Sequence, residues 1–165
     1  MKRRMTLVVA FAFGLVFVMS ADSAQAQMAK SGSFDGVAAW SSYGELTETA
    51  NGSSSWHGGF NGAFLNSAGS GFLHGTAITC PGAGATVGGR QFYQGLCVVT
   101  DAEGDQAMLV WDCEIQADGI CYGEQAFVAG NGKYEGISGE MTLEGRFIGE
   151  TAQGVSSWKG EWRLP

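Results

Sequence analysis

Three carboxylates lie close together at Asp101, Glu103 and Asp105, where they could provide oxygen ligands for a calcium ion. Their spacing differs from that of an EF-hand loop. Gly104 lies among them and an apolar segment follows, so the same residues also fit the solvated tip of a hairpin. We therefore interpret this segment as a turn and predict no metal site there.

A second glycine-rich segment, Gly130-Asn131-Gly132-Lys133, partly resembles a phosphate-binding loop. Such a loop needs a serine or threonine directly after the lysine and a helix that follows. Tyr134 occupies the hydroxyl position, and no helical pattern comes after it. We predict a structural turn here and no cofactor.

Asp112, Glu114 and Glu124 could supply the paired carboxylates of a hydrolase. However, strand side chains alternate between two faces, so Asp112 and Glu114 should lie opposite the apolar face that carries Trp111. Those acids should then face water. Serines near His57 do not form a recognisable triad either, so the sequence leaves any catalytic residue unidentified.

The chain contains four cysteines and an N-terminal segment typical of a secretory signal peptide. Residues 2–4 are basic, residues 5–19 are largely apolar, and Ala24-Gln25-Ala26 forms a small-residue cleavage site. The apolar run is shorter than the roughly 20 residues that span a bilayer. We therefore predict cleavage after Ala26 and export to a periplasmic or extracellular compartment, with residues 27–165 as a single domain.

Export to an oxidising compartment favours disulfides. Cys113 and Cys121 flank one predicted hairpin turn, and Cys80 and Cys97 flank another glycine-rich loop. We predict the pairs Cys80–Cys97 and Cys113–Cys121. A zinc site is not expected, because no Cys-x-x-Cys pair occurs.

The predicted mature chain is acidic. Removing residues 1–26 takes away three basic residues and Asp22, which leaves six basic and 15 acidic side chains, a net charge of −9. Such a surface repels nucleic-acid phosphates and anionic lipids. We predict neither a nucleic-acid partner nor a membrane association after cleavage, and the sequence does not indicate an oligomeric state.

Period-two alternation, 27 glycines and only two prolines indicate an all-β domain. Short turns such as Asn131-Gly132 favour antiparallel neighbours. We predict an eight-stranded antiparallel up-and-down barrel with two hairpin disulfides. The expected strands are Phe34–Thr47, Ser54–Phe64, Gly71–Cys80, Arg90–Thr100, Gln106–Ile115, Ile120–Val128, Ser138–Ile148 and Gly154–Leu164.

The disulfides fix which strand positions face inward, because cysteines and their alternate neighbours share a face. This parity predicts an interior that is mostly apolar and aromatic, with few hydroxyl groups. Most of these residues would form an ordinary core. Three of them are candidate ligand-binding residues: His74, Trp111 and Trp158. A histidine in such a lining could orient a ligand or move a proton.

Several motifs occur in an order that resembles a known group. Gly95–Asp105 is followed by Trp111, then by Gly132-Lys133-Tyr134-x-Gly136-Ile137-x-Gly139 and finally by Trp158-x-Gly160-x-Trp162. This order is similar to that of small exported bacterial proteins of the allene oxide cyclase-like, dirigent-like barrel group. The resemblance implies a closed eight-stranded, calycin-like barrel, but no catalytic residue of the group matches a position here.

Three functions fit these observations. The first is an exported barrel that binds a small apolar or aromatic molecule. The second is an isomerase or cyclase of the allene oxide cyclase type, in which the barrel shapes a reactive substrate. The third is a structural or partner-binding barrel with a solid core. A cavity inside the barrel would separate the first two from the third.

Overall fold

The computed structural model describes residues 29–165, so the predicted signal peptide lies outside the described residues. Eight antiparallel strands form a closed barrel in chain order, and the last strand pairs with the first. This confirms the predicted fold class. The strands are β1 (Ser31–Glu48), β2 (Ser54–Asn66), β3 (Thr76–Val87), β4 (Arg90–Thr100), β5 (Gln106–Ile115), β6 (Cys121–Gly130), β7 (Glu140–Phe147) and β8 (Gln153–Arg163). Within residues 29–165 no helix has the length and apolar character needed to cross a membrane.

Side-chain alternation defines the inside of the barrel. On β8, Trp158 and Trp162 are buried, whereas Lys159, Glu161 and Arg163 are exposed, as the sequence predicts. The tryptophans avoid water inside the barrel while the charged residues keep their hydration outside. The same alternation continues along the inner faces of β5 and β6.

The third strand is the main departure from the sequence prediction. The sequence predicts this strand at Gly71–Cys80, but it runs from Thr76 to Val87, and residues 71–75 form a turn instead. The glycines in this strand lie beneath aromatic rings of neighbouring strands. A Cβ atom at Gly82 would lie only 2.7 Å from the ring of Trp111. Tertiary packing therefore selects a strand where the local composition favours a turn.

Both predicted disulfides are present. Cys80–Cys97 joins β3 to β4, and Cys113–Cys121 joins β5 to β6. All four cysteines are buried on the inner face. The two bonds therefore connect neighbouring strands on one side of the barrel from within, and cross-links of this kind stabilise a domain by about 2–4 kcal/mol each.

The two ends of the barrel differ. One end, which we call the closed end, is filled by aromatic rings, and Phe72 from the β2–β3 turn stacks on Trp162 at 4.3 Å between ring centroids. The other members of this cluster are Phe34, Phe64, Phe127 and Tyr134. At the opposite end β1 pairs with β8 only as far as Ser41, whereas its pairing with β2 continues to Glu48. The strands β1–β3 thus rise past β8 as a lip around an opening, which we call the mouth.

Candidate functional site

The two turn motifs that could have bound ions contact each other. Lys133 Nζ lies 2.7 Å from the Asp101 carboxylate and 2.9 Å from that of Glu103. The backbone amide of Lys133 also donates to Asp105, at 3.0 Å. Within residues 29–165, no group of three histidine, cysteine, aspartate or glutamate side chains forms a metal-binding cluster. Lys133 therefore offsets one of the three negative charges of the β4–β5 turn, and the backbone amide of the same residue binds a third carboxylate.

The electrostatics of Asp101 follow from this arrangement. Partial burial acts to raise the pKa of its carboxyl, but hydrogen bonds from Lys133 and from the backbone amides of Asp105 and Glu103 outweigh burial, so the pKa is lowered. The pKa of Lys133 is raised, chiefly by its hydrogen bond to Asp101. Both groups stay charged at neutral pH, and the pair holds the β4–β5 turn against the β6–β7 turn.

The acids considered for hydrolysis do not form a site. Asp112 and Glu124 are exposed on the outer face, as strand parity predicts. Glu114 is partly exposed and accepts two hydrogen bonds from Arg90, at 2.8 and 2.7 Å. The hydrogen bond from Arg90 lowers the pKa of Glu114. None of these carboxylates faces the barrel interior.

A cavity of about 180 Å³ opens at the mouth of the barrel. Its walls are mainly aromatic, and successive rings meet edge to face: Trp40 with Phe60 at 4.8 Å, and Phe60 with Trp111 at 5.8 Å. Leu46 and Phe147 line the rim and are exposed to solvent. The aromatic lining residues are Trp40, Trp56, Phe60, Tyr93, Trp111, Phe147 and Trp158.

Both disulfides and a few polar groups complete the cavity wall. Trp40 Nε1 donates a hydrogen bond to Ser156 Oγ at 2.8 Å. By contrast, Trp111 Nε1, Trp158 Nε1 and Gln125 Oε1 are buried without a hydrogen-bond partner. Buried polar atoms are normally paired, so three unpaired atoms around one cavity indicate positions where a bound molecule could be recognised.

The cavity interior carries no charge. Burial raises the pKa of the Tyr93 phenol above its usual value of 10.0, so this group is neutral at physiological pH. Arg146 lies at the rim, but it alternates with the inward positions Gly145 and Phe147 and is exposed. Within the described chain, the residues that line the cavity include no carboxylate and no histidine.

Two of the three predicted ligand-binding residues line this cavity, namely Trp111 and Trp158. The predicted inward orientation of His74 is wrong, because its side chain is exposed in the turn before β3. Leu73 and Gly75 have positive φ angles of 57° and 73°, so the strand alternation that continues back from Cys80 ends before His74. His74 therefore does not join the cavity.

Sequence reasoning missed several lining residues. Gln125 lies on β6 between Gly123 and Phe127, at the same parity as Cys121, so alternation alone could have identified it. Trp40 on β1 and Trp56 and Phe60 on β2 also line the cavity. The spacing of four between Trp56 and Phe60 places both on one face of a strand, a signal that was available in the sequence.

Comparison with known proteins supports the fold. A solved structure of a pterocarpan synthase dirigent protein matches with a TM-score of 0.53 over 84% of this chain and 88% of that chain, at 9% sequence identity. No protein-family model matches the sequence, and no curated protein matches it. The likeness shows a dirigent-like barrel, in agreement with the resemblance found in the sequence.

Proposed function

We propose that this protein binds a small, uncharged, apolar or aromatic molecule in the cavity at the mouth of the barrel. The observation that carries the proposal is the aromatic cavity itself, which is open at one end and is lined by three residues that each have an unpaired polar atom. Ligand sites are typically apolar clefts with a few placed polar groups. A barrel with a solid core would be filled by side chains at both ends. In this barrel only the closed end is filled in that way.

Binding without chemical turnover is the function that the geometry supports best. Proton transfer at a reacting carbon needs a positioned acid or base, most often histidine or a carboxylate. Neither type is among the described residues that line the cavity. An isomerase of the allene oxide cyclase type would have to rely on shape alone, and the dirigent-like fold by itself does not indicate an activity.

Export to a periplasmic or extracellular compartment completes the proposal. The two buried disulfides, which include every cysteine of the chain, support an oxidising environment. The acidic surface supports a partner that is neither a nucleic acid nor an anionic membrane. The molecule bound would then be one that the cell meets outside its cytoplasm.

Calorimetric titration of the disulfide-bonded protein with a panel of small aromatic and aliphatic compounds tests the proposal. We expect at least one compound to bind with a Kd below 1 mM. Trp56→Ala removes an aromatic wall at the mouth and should weaken binding about tenfold, since an aromatic contact contributes about 1 kcal/mol beyond the buried area.

Val110→Ala is the matched control, because Val110 precedes Trp111 on β5 but is exposed on the outer face. It should leave affinity unchanged. If no compound of the panel binds below millimolar concentration, and if the protein isolated from its own source carries no small molecule in native mass spectrometry, the binding proposal fails.

A further inference from the structure

The unpaired polar atoms of the cavity indicate more than a generic apolar ligand. Trp111 and Gln125 are directly opposite each other on β5 and β6. They are 6% and 4% exposed, and neither Trp111 Nε1 nor Gln125 Oε1 has a partner. Side chains at such paired positions start about 5 Å apart. Trp111 Nε1 is a donor and Gln125 Oε1 an acceptor, and both residues line the same cavity.

A hydroxyl group that reaches both atoms would satisfy them at once. Its oxygen can accept from Trp111 Nε1–H while its proton is donated to Gln125 Oε1. A carbonyl group could accept from the indole but would leave the Gln125 oxygen unpaired, and an ammonium group would leave the indole unpaired. A carboxylate would be a buried anion without a cation, which is strongly disfavoured.

The size of the cavity limits the rest of the ligand. An engineered apolar cavity of about 150 Å³ holds one benzene molecule. The cavity here, at about 180 Å³, is therefore large enough for a single ring with a short substituent. The aromatic rings of Trp40, Phe60 and Tyr93 would contact the apolar part of such a molecule.

We propose that Trp111 and Gln125 together select a neutral single-ring alcohol by binding its hydroxyl group. This inference rests on the proposed binding function and specifies its ligand class. Trp158 Nε1 is a further unpaired donor in the same wall, on β8, and it could accommodate a second acceptor atom on a larger substituent. Selection of an alcohol depends on Trp111 and Gln125 and does not require Trp158.

Benzyl alcohol and ethylbenzene form a matched pair of probes, because a hydroxyl in the first replaces a methyl group in the second. In calorimetric titrations at pH 7, we expect benzyl alcohol to bind about tenfold more tightly than ethylbenzene, from two net hydrogen bonds. Benzaldehyde should bind more weakly than benzyl alcohol, and benzoate should not bind measurably.

Gln125→Leu should lower the ratio of the two affinities about threefold, because it removes one of the two hydrogen bonds to the hydroxyl group. Trp111→Phe, a second variant that keeps the aromatic wall, should lower the ratio about threefold. Glu124→Leu is the control, since Glu124 is the neighbouring residue on β6 and is exposed outside. It should preserve the wild-type ratio.

The outcomes separate this inference from the function on which it rests. Equal affinity of the wild type for benzyl alcohol and ethylbenzene, or benzaldehyde binding as tightly as benzyl alcohol, overturns alcohol selection but leaves an apolar binding site. An unchanged ratio in both Gln125→Leu and Trp111→Phe also overturns the role of this pair. Failure of every compound to bind overturns the binding function itself.

Discussion

The stack of Trp162 on Phe72 allows a stringent test of how the closed end is built. The ring planes are 8° from parallel and their centroids are 4.3 Å apart. Trp162 belongs to β8 and is 5% exposed, whereas Phe72 comes from the turn between β2 and β3 and is half-buried. This contact therefore fixes a long turn onto the barrel, and Trp162→Ala would remove its support.

The expected free-energy changes follow from these degrees of burial. Truncating a buried tryptophan to alanine costs about 3–5 kcal/mol, so we expect about 4 kcal/mol for Trp162→Ala. Phe72 is only half-buried, and Phe72→Ala should cost about 2 kcal/mol. A stacked aromatic pair contributes about 1 kcal/mol beyond its buried area. Since that contribution is lost only once, the double variant should lose about 5 kcal/mol rather than 6.

Urea denaturation of the disulfide-bonded proteins, followed by circular dichroism, measures these changes in unfolding free energy. The comparison requires that the slope of unfolding free energy against urea concentration be the same in all variants. Arg163→Ala is the control, because this neighbouring residue of β8 is exposed and should change stability by less than about 0.5 kcal/mol. A loss below about 1 kcal/mol for Trp162→Ala would mean that the indole does not fill the closed end. Strict additivity in the double variant would mean that the two rings do not stack.

Two further predictions concern charge and processing. Asp101→Asn should lower the unfolding free energy by about 1 kcal/mol at pH 7. Because the folded-state pKa of Asp101 lies below its usual 3.8, the difference in stability between wild type and variant should shrink as the pH falls below that value. A difference that does not change with pH in urea titrations would contradict the ion pair between Asp101 and Lys133. Intact-mass analysis of the exported protein should give a chain that begins at Gln27 and contains no free thiol, whereas a chain that retains residues 1–26 would refute the predicted cleavage.

The sequence was sufficient for the fold because its strongest signals are local. Turns such as Asp118-Gly119 separate the strands, and strict alternation on β8 defines an inside and an outside. β3 could not be placed in the same way. Its residues Gly82 and Gly84 are small because rings from β4 and β5 lie over them, and this requirement comes from neighbouring strands rather than from the segment itself.

The candidate site was predictable only in part, for a related reason. Trp111 and Trp158 follow from alternation, which the structure obeys on β5 and β8. Alternation does not place His74 correctly, because this residue lies in a turn and not in a strand. The cavity lies at the mouth because the other end is filled. The filling of that end depends on how far Phe72 reaches across the barrel, and no pattern in the sequence specifies such a distance.

The pairing of β1 with β8 also determines the order in which the molecule can assemble. Seven of the eight strand contacts join strands that are consecutive in the chain, but Ser31 pairs with Arg163 across almost the whole described sequence. Local hairpins can therefore form early, whereas closure has to wait for the last strand and for the entropy lost when such a long loop closes. Until then β1 and β7 each present an unpaired edge, and the aromatic interior is exposed to water. The last strand thus protects the edges of β1 and β7 from association with foreign chains, so a C-terminal truncation would leave both edges open.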